Sequence, residues 1–322
     1  MATTPRTVSL AARFTGGGFA SGMAVMVVFL AIAPLIGFYP VFVMKCMCFA
    51  LFACAFNLLL SFGGLLSFGH AMFLGTAGYV SAYAAKSWGM TPELAILFGT
   101  AASALLGIVV GALAIRRQGI YFAMITLAMA QMMYFFYLQT PFTHGEDGIQ
   151  SVPRGRLFGV LDLTQPLVVY YVVLAIFLAA FLFIYRVIHS PFGHVLKAIK
   201  ENEPRAISLG YDADRYKLIA FILSATLAGL AGATKAIVFQ LAALNDVHWT
   251  TSGEVVLMTL LGGMGTIFGP VIGAFIIVAL ENYLAPFGQW VTIITGVIFV
   301  ICVLAFRRGI VGELGAWWAK RG

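Results

Sequence analysis

Few side chains in this chain have the types and the spacing that catalysis or metal binding requires. A histidine and two carboxylates lie together in Thr143–Gly148, a combination that could hold a metal ion. Adjacent Glu146 and Asp147 between glycines are more typical of turns on a solvated loop, so we expect no metal site there. His70 lies alone in an apolar run, where a histidine is more often a hydrogen-bonded packing residue than a substrate ligand.

The sequence lacks the motifs that bind nucleotides or activate nucleophiles. No phosphate-binding GxxxxGK[ST], no GxSxG elbow and no HExxH zinc motif occurs. An intramembrane enzyme would need a nucleophile paired with a base, and His70 has no evident partner. We therefore expect no catalytic residue and no enzyme activity. Active transport would take its energy from another subunit or from an ion gradient.

The composition identifies the lipid bilayer as the solvent of this chain. Hydrophobic residues make up 61% of the sequence and charged residues only 10%, whereas soluble domains are about 45–50% apolar. Continuous apolar runs without strict alternation select helices rather than a barrel. The net charge of +7 is read as a signal of membrane orientation, not of nucleic-acid binding. The sequence thus predicts an all-α polytopic membrane protein, with residues 1–322 forming a single transmembrane domain.

Apolar runs of about 20 residues mark the helices that cross the bilayer. The predicted spans are 19–38, 40–62, 92–115, 119–140, 167–188, 217–241 and 287–306. Regions 64–85 and 253–284 are also apolar but contain several glycines, as expected of broken or re-entrant helices near a pathway. The total is roughly eight to ten transmembrane helices.

Lysines and arginines in the short loops set the predicted orientation. Most of them lie on one side of the membrane if the following segments are cytoplasmic: the N-terminal arm 1–18, Arg116–Arg117, the segment 190–217 and Arg307–Arg308. The long loop 141–166 then lies in the periplasm. Both termini are cytoplasmic only if the number of crossings is even. Region 253–284 must therefore cross twice, with a turn near Gly262–Gly265.

Two glycine clusters interrupt the apolar pattern. One lies in 63–85 and the other in 262–273. Closely spaced small residues let helix backbones approach each other, or let a helix unwind to line a cavity. The sequence leaves both readings open.

The polar segment 190–217 lies between two long apolar stretches. Phe192, Val195, Leu196 and Ile199 have helical spacing, Pro204 interrupts the pattern, and a second short helix is predicted to end at Gly210. Two short helices with mixed charge and an apolar stripe suit a groove on a partner protein. The alternative is a solvated loop that lies on the membrane. We favour docking because flexible loops rarely have so many apolar residues at helical spacing.

Several blocks of the sequence together resemble the permease subunits of ABC importers for branched-chain amino acids, in the longer of their two permease types. The blocks are SFGHAMFLGTAGY (67–79), RRQGIYFAMITLA (116–128), PFTHGEDGI (141–149), SPFGHVLKAIKENEPRAISLGYDADRYKLIAF (190–221), SGEVVLMTLLGGMGTIFGPVIGA (252–274) and RRGIVG (307–312). The family usually has two glycines where this chain has His144-Gly145.

The resemblance implies an importer of the bacterial inner membrane built from five polypeptides. They are this permease, a sister permease that forms a heterodimer with it, two cytoplasmic ATP-binding subunits and a periplasmic solute-binding protein. ATP and Mg²⁺ would bind to the ATPases, and this chain would hold no cofactor. Segment 190–217 would be the coupling loop, with the residues Lys197, Lys200, Glu201, Glu203, Arg205, Ala206, Gly210 and Arg215. The translocation path or gate would include Gly63, Gly64, Gly69, His70, Gly75, Gly262, Gly263, Gly265 and Gly269.

Alternatives concern the solute and the energy source. Related importers carry urea, short amides or other small organic solutes, and their receptors set most of the selectivity. A self-sufficient secondary transporter or a channel for small neutral solutes is the second alternative. The absence of a charge at the predicted middle of any span disfavours ion-coupled transport.

Overall fold

The computed structural model describes residues 17–157, 159, 161–288, 290–305 and 309–313. The helices within these ranges are α1 Gly17–Ile32, α2 Pro40–Asn57, α3 His70–Ser87, α4 Pro92–Ala114, α5 Ile120–Gln139, α6 Pro166–Ile188, α7 Pro191–Glu201, α8 Glu203–Ser208, α9 Ala213–Phe239, α10 Trp249–Gly262, α11 Gly269–Leu284 and α12 Trp290–Ala305. A π-helical turn, Leu58–Phe62, continues α2. Short strands are β1 Ile149–Gln150, β2 Arg156–Leu157, β3 Leu161–Asp162 and β4 Leu241–Ala242. The predicted all-α membrane fold is confirmed.

Five of the described helices are long and apolar enough to cross a membrane, judged by length and composition. They are Pro40–Phe62, Pro92–Ala114, Ile120–Gln139, Pro166–Ile188 and Ala213–Phe239. Each coincides with a predicted span to within about one turn.

The first and last predicted spans differ from the observed helices. Helix α1 ends at Ile32 rather than at residue 38, because Pro34 disfavours a helical conformation in the residue before it. Helix α12 covers most of 287–306. Residues 1–16 of the N-terminal arm and Arg307–Arg308 lie outside the described residues.

The connecting segments gather at two opposite ends of the helical bundle. At one end, called the α7 face, Lys200 of α7 donates a hydrogen bond to the carbonyl oxygen of Ser61 (2.6 Å). At the other end, called the strand face, β1 pairs with β4. There Lys86, in the last turn of α3, donates to the carbonyl oxygen of Gln150 (2.8 Å). Loop 141–166 and segment 190–217 thus lie at opposite ends, as the predicted topology requires.

Helices α3, α4 and α9 pack at the distance of backbone contact, beside the almost wholly buried α2. A Cβ atom added at Gly232 of α9 would lie 1.9 Å from the carbonyl oxygen of Leu74. The Ser103 hydroxyl of α4 donates to the carbonyl oxygen of Ala225 in α9 (2.8 Å). Lipid tails are as apolar as the surfaces of these helices, so apolar burial alone does not favour contact between two helices over contact with lipid. Close packing at small residues and hydrogen bonds from buried hydroxyls hold the helices together instead.

Helices α10 and α11 form an antiparallel hairpin whose turn, residues 263–268, lies at the α7 face. The Asn57 amide at the end of α2 donates to the carbonyl oxygen of Thr266 in this turn (3.0 Å). The predicted break near Gly262–Gly265 is confirmed. At 1.5 Å per residue, the helices are about 21 and 24 Å long, less than the hydrocarbon core of about 30 Å.

The described ends of the chain approach the same face. A Cβ added at Gly309, beyond α12, would lie 2.3 Å from the Cα atom of Gly263, in the α10–α11 turn. At the other end of the chain, Gly22 of α1 lies against the ring of Phe268. This arrangement agrees with an even number of crossings.

The close approach at Gly232 generates a stability prediction. We expect Gly232→Ala to lower the thermal unfolding temperature sharply in detergent, because the new methyl group would force α3 and α9 apart. Gly253→Ala is the matched control, since a Cβ there meets nothing within 4 Å and alanine favours the helix by about 1 kcal/mol. Equal melting temperatures for the two variants would contradict the packing described here.

Candidate functional site

Segment 190–217 folds into a pair of short helices, called the α7–α8 unit. Its helices begin at side-chain caps: the Ser190 hydroxyl accepts from the backbone N–H of Gly193 (3.4 Å), and the Asn202 amide oxygen accepts from that of Arg205 (3.1 Å). These contacts satisfy backbone donors that helix starts leave free. Pro204 lies in the first turn of α8 rather than in the break between the helices. Proline is well tolerated there.

Helix α8 ends in a Schellman motif, as Gly210 predicted. The N–H of Tyr211 donates to the carbonyl oxygen of Ala206 (3.2 Å), and the N–H of Gly210 donates to that of Ile207 (2.9 Å). Gly210 has φ of +90°, which a residue with a Cβ atom rarely adopts. The motif turns the chain sharply into α9.

The apolar stripe of the α7–α8 unit faces the bundle. Leu196 belongs to the main core of the bundle, and Phe192 packs against that core. Ile199 and Ala206 form a small separate cluster with Ala213 at the start of α9. This stripe fixes the unit on the membrane domain.

An ion pair attaches α8 to the start of α9. The Glu203 carboxylate lies 2.6 Å from the ammonium of Lys217, whose side chain is only 6% exposed. The same carboxylate oxygen accepts from the side-chain amide of Gln118, in the α4–α5 connection (3.0 Å). Glu203 thus holds three segments of the α7 face together.

Two lysines of α7 approach the end of α2. Lys200, although exposed, donates to Ser61, and the ammonium of Lys197 lies 5.1 Å from the centre of the Phe62 ring. Partial burial of Lys197 lowers its pKa, which Glu201 opposes. Of the remaining predicted coupling residues, Glu201, Arg205, Gly210 and Arg215 are exposed.

The predicted coupling residues do not include the exposed apolar residues of the α7–α8 unit. Ile207, Leu209 and Tyr211 are 55%, 71% and 40% exposed. They lie on or just after α8, among Arg205, Arg215 and Asp214. The sequence did contain a signal for their exposure. Ile207 and Leu209 follow Ala206 so closely in a short helix that all three cannot face the same side, and Ala206 is the buried one.

The glycines of the predicted path separate into two groups. Gly63 and Gly64 follow the π-helical turn. The Gly265 N–H donates to the Ser61 hydroxyl in that turn (3.0 Å), so this pair of glycines lies near Gly263 and Gly265. Gly262 and Gly269 pack closely against each other across the α10–α11 hairpin.

The second group lies on α3 and at its start. A Cβ atom at Gly69 would meet the carbonyl oxygen of Thr126 at 2.3 Å, and one at Gly75 would meet the Val247 side chain at 2.2 Å. These two glycines therefore allow close packing. Their part in a translocation path stays a prediction.

His70 joins three helices inside an aromatic cluster. Its Nε2 lies 2.8 Å from the Ser224 hydroxyl of α9, and this hydroxyl donates to the carbonyl oxygen of Ala55 in α2 (2.5 Å). Since the serine proton is used there, Nε2–H of the histidine is the donor. Phe56, Phe73 and Phe221 surround the ring edge to face. This geometry supports a packing role for His70.

Two lysines near the strand face are paired with carboxylates. Lys45 of α2 lies 3.9 Å from Glu281 of α11, and Lys235 of α9 forms an ion pair with Asp246. Lys45 also lines an open cavity of about 410 Å³, together with Phe42, Phe239, Asn282 and Tyr283. The pairs tie α11 and the β4–α10 loop to the central helices.

Loop 141–166 contains the His144 segment. Pro141–Thr143 and Gly145–Asp147 form two 3-10 turns, and His144 between them has a left-handed conformation, with φ of +59°. The fold of this segment is that of consecutive turns, as the sequence favoured.

Comparison with known proteins places these features in a family context. A model of the family described as "Branched-chain amino acid transport system / permease component" matches residues 40–306. The high-affinity branched-chain amino acid transport system permease protein LivM of Escherichia coli is 26% identical over 292 residues, which cover 82% of this chain and 68% of LivM. LivM of Salmonella typhimurium is 25% identical over the same extent.

A more limited similarity extends to a second permease. The probable branched-chain amino acid transport permease protein LivH of Methanocaldococcus jannaschii is 29% identical over 144 residues, 42% of this chain and 43% of LivH. No solved structure matches the chain.

The Glu203–Lys217 pair generates a second prediction. Glu203→Ala leaves the buried Lys217 ammonium without its carboxylate, so we expect the free energy of unfolding to fall by about 3 kcal/mol. Arg215→Ala is the control, because Arg215 and Asp212 form an exposed pair that contributes about 0–1 kcal/mol. Chemical denaturation in detergent measures both. A fall of equal size in the two variants would show that burial does not distinguish the pairs.

Proposed function

Because the chain belongs to the family of branched-chain amino acid transport permeases, we propose that it is a transmembrane subunit of an ATP-driven, binding-protein-dependent importer. Two ATP-binding subunits would supply ATP hydrolysis with Mg²⁺. A sister permease would complete the translocation path as a heterodimer, and a soluble receptor would deliver the solute.

The α7–α8 unit is the observation that carries this proposal. It is a folded unit, fixed to the bundle through the buried Leu196 and an ion pair to α9. Its outer surface combines exposed apolar side chains with charges of both signs. An apolar centre with a charged rim is typical of protein interfaces. A loop that only connects α6 and α9 would need neither the caps nor the buried pair.

The α7 face is proposed to be cytoplasmic, in the inner membrane of a bacterium. Arg116, Arg117 and the basic residues of 190–217 lie at this face, in agreement with the tendency of cytoplasmic loops to carry lysine and arginine. The described ends of the chain approach the same face, so both termini would be cytoplasmic. Loop 141–166 and the strand face would then meet the receptor in the periplasm.

Branched-chain amino acids are the proposed solutes because the LivM relatives are named for their transport. A zwitterion with an apolar side chain suits a path formed by glycine, small and apolar residues, where helix N-termini can receive the carboxylate.

Purification of the tagged chain from its native membrane tests the assembly. We expect two ATP-binding subunits and a sister permease to remain bound in mild detergent, and the reconstituted complex to accumulate labelled leucine with ATP and the loaded receptor. Recovery of the chain alone, under conditions that preserve other complexes, would contradict the proposal. Uptake of urea or short amides but not leucine would reassign the solute and leave the importer in place.

The exposed apolar residues of α8 provide a sharper prediction about docking. Leu209→Asp should weaken binding of the ATPases by roughly tenfold or more, because it places a charge at the centre of the proposed contact. Trp88→Asp is the control: Trp88 is 56% exposed but lies at the strand face. Co-purification yield and affinity measured with isolated ATPases are the readouts. Unchanged affinity for Leu209→Asp would move the docking surface away from α8.

A further inference from the structure

Asn57 and Ser61 are two buried polar residues near the end of α2, in or beside its π-helical turn. Asn57 is 3% exposed and Ser61 7% exposed. A π turn shifts the backbone hydrogen bonds by one residue, and such turns are frequent at functional sites. The carbonyl oxygens at the end of any helix also lack partners within the helix. The Ser61 carbonyl oxygen is thereby available to the Lys200 ammonium of α7 (2.6 Å).

A continuous set of hydrogen bonds leads from α7 to the α10–α11 turn. The Ser61 hydroxyl donates to the side-chain oxygen of Asn57 (2.5 Å) and accepts from the N–H of Gly265 (3.0 Å). The side-chain nitrogen of Asn57 donates to the carbonyl oxygen of Thr266 (3.0 Å). Ser61 therefore contacts the docking unit through its backbone and the turn through its side chain.

The α10–α11 turn depends on two glycines for its backbone conformation. Gly263 and Gly265 have φ of +119° and +79°, in a region open to glycine at little cost. Thr266 closes the turn on itself, since its hydroxyl donates to the carbonyl oxygen of Gly263 (2.8 Å) and accepts from the N–H of Gly269 (3.1 Å). Asn57 and Ser61 hold this compact turn against α2.

We propose that Ser61 and Asn57 are positioning residues that transmit a displacement of α7 to the α10–α11 turn. This step rests on the proposed function, because the ATPases would supply the displacement. The other attachment of the α7–α8 unit, Glu203 to Lys217, leads to α9, which packs at backbone contact with α3. The hydrogen-bonded connection leads instead to the short hairpin. ATP-driven movement of the unit would therefore reposition α10 and α11 relative to α2.

The test compares Ser61→Ala with the parent in the reconstituted complex of permeases, ATPases and receptor. Ser61→Ala removes both hydrogen bonds of the hydroxyl and keeps the carbonyl oxygen that Lys200 contacts. We expect the complex to assemble, while receptor-stimulated ATP hydrolysis and leucine uptake per ATP fall by about fivefold, the scale of one or two hydrogen bonds. Thr226→Val is the control, because its hydroxyl bonds only to Ile222 within α9.

A second readout follows the turn itself. Met264 is 55% exposed, and Met264→Cys places a reactive thiol there. In the parent background its labelling rate should differ between the nucleotide-free and the ATP-trapped complex, and Ser61→Ala should abolish most of that difference. Labelling without Met264→Cys gives the background from the native cysteines.

Lys200→Met keeps the aliphatic stem beside Gly64 and removes the ammonium. If the connection is real, Lys200→Met and Ser61→Ala combine less than additively, whereas Lys200→Met and Thr226→Val combine additively. Additive effects of the first pair, or parent-like hydrolysis and labelling in Ser61→Ala, overturn the proposed connection and leave the importer intact. A parent complex without receptor-stimulated hydrolysis contradicts the proposed function, and the connection with it.

Discussion

A helix that ends among packed segments leaves backbone N–H and C=O groups without partners in the helix, and each one that is buried and unsatisfied costs about 1–3 kcal/mol. This protein has such breaks after α2 and between α10 and α11. Both lie at the α7 face, and each supplies partners for the other: Ser61 and Asn57 bind the turn at Gly265 and Thr266. The break after α2 also presents a carbonyl oxygen to Lys200. The α7–α8 unit and the α10–α11 hairpin are attached to α2 by contacts that this constraint makes necessary.

The central helices and the α10–α11 hairpin are held in place by different kinds of contact. Helices α3, α4 and α9 meet at glycines where even a methyl group would overlap a neighbouring backbone. A relative shift of these helices would open voids or create overlaps, both of which cost free energy. The α10–α11 hairpin also packs closely within itself, as at Gly273 and Met258. It also packs on α2 through buried apolar side chains such as Met258 and Ile277. Polar contacts add to this packing: the N–H of Ala71 in α3 donates to the Ser252 hydroxyl of α10 (2.9 Å). Asn57 and Lys45 contact the two ends of the hairpin. Hydrogen bonds and a long ion pair can exchange partners in a way that interlocked backbones cannot.

The sequence predicted the helices well because their signals are local. Apolar run length located α2, α4, α5, α6 and α9, and Gly210 marked the end of α8 through its own backbone preference. Pairing across the fold was not predictable in this way. Lys45 and Glu281 are far apart in the chain, so each alone indicated only a charge near a membrane end. The inward contacts of Glu203 and Lys200 were not predictable for the same reason, since a charged residue on a polar segment shows nothing of the group that the fold brings to it.

The inward contacts of Lys200 and Glu203 also change which forces can join the α7–α8 unit to a partner. A charge already engaged with the bundle contributes little to an interface, because a partner would have to replace an existing contact. The exposed residues are the apolar Ile207, Leu209 and Tyr211 and the charged Glu201, Arg205 and Arg215, of which Arg215 is paired with Asp212 at the surface. Affinity would then come mainly from apolar burial, and charge at the rim would guide orientation and association rate. Because Lys200 and Glu203 face the membrane domain, a partner that moves the surface of the unit must strain both connections at once. One connection is an ion pair to α9 and the other is a set of hydrogen bonds to the hairpin. Their relative strengths then decide whether α9 or the hairpin moves with the unit.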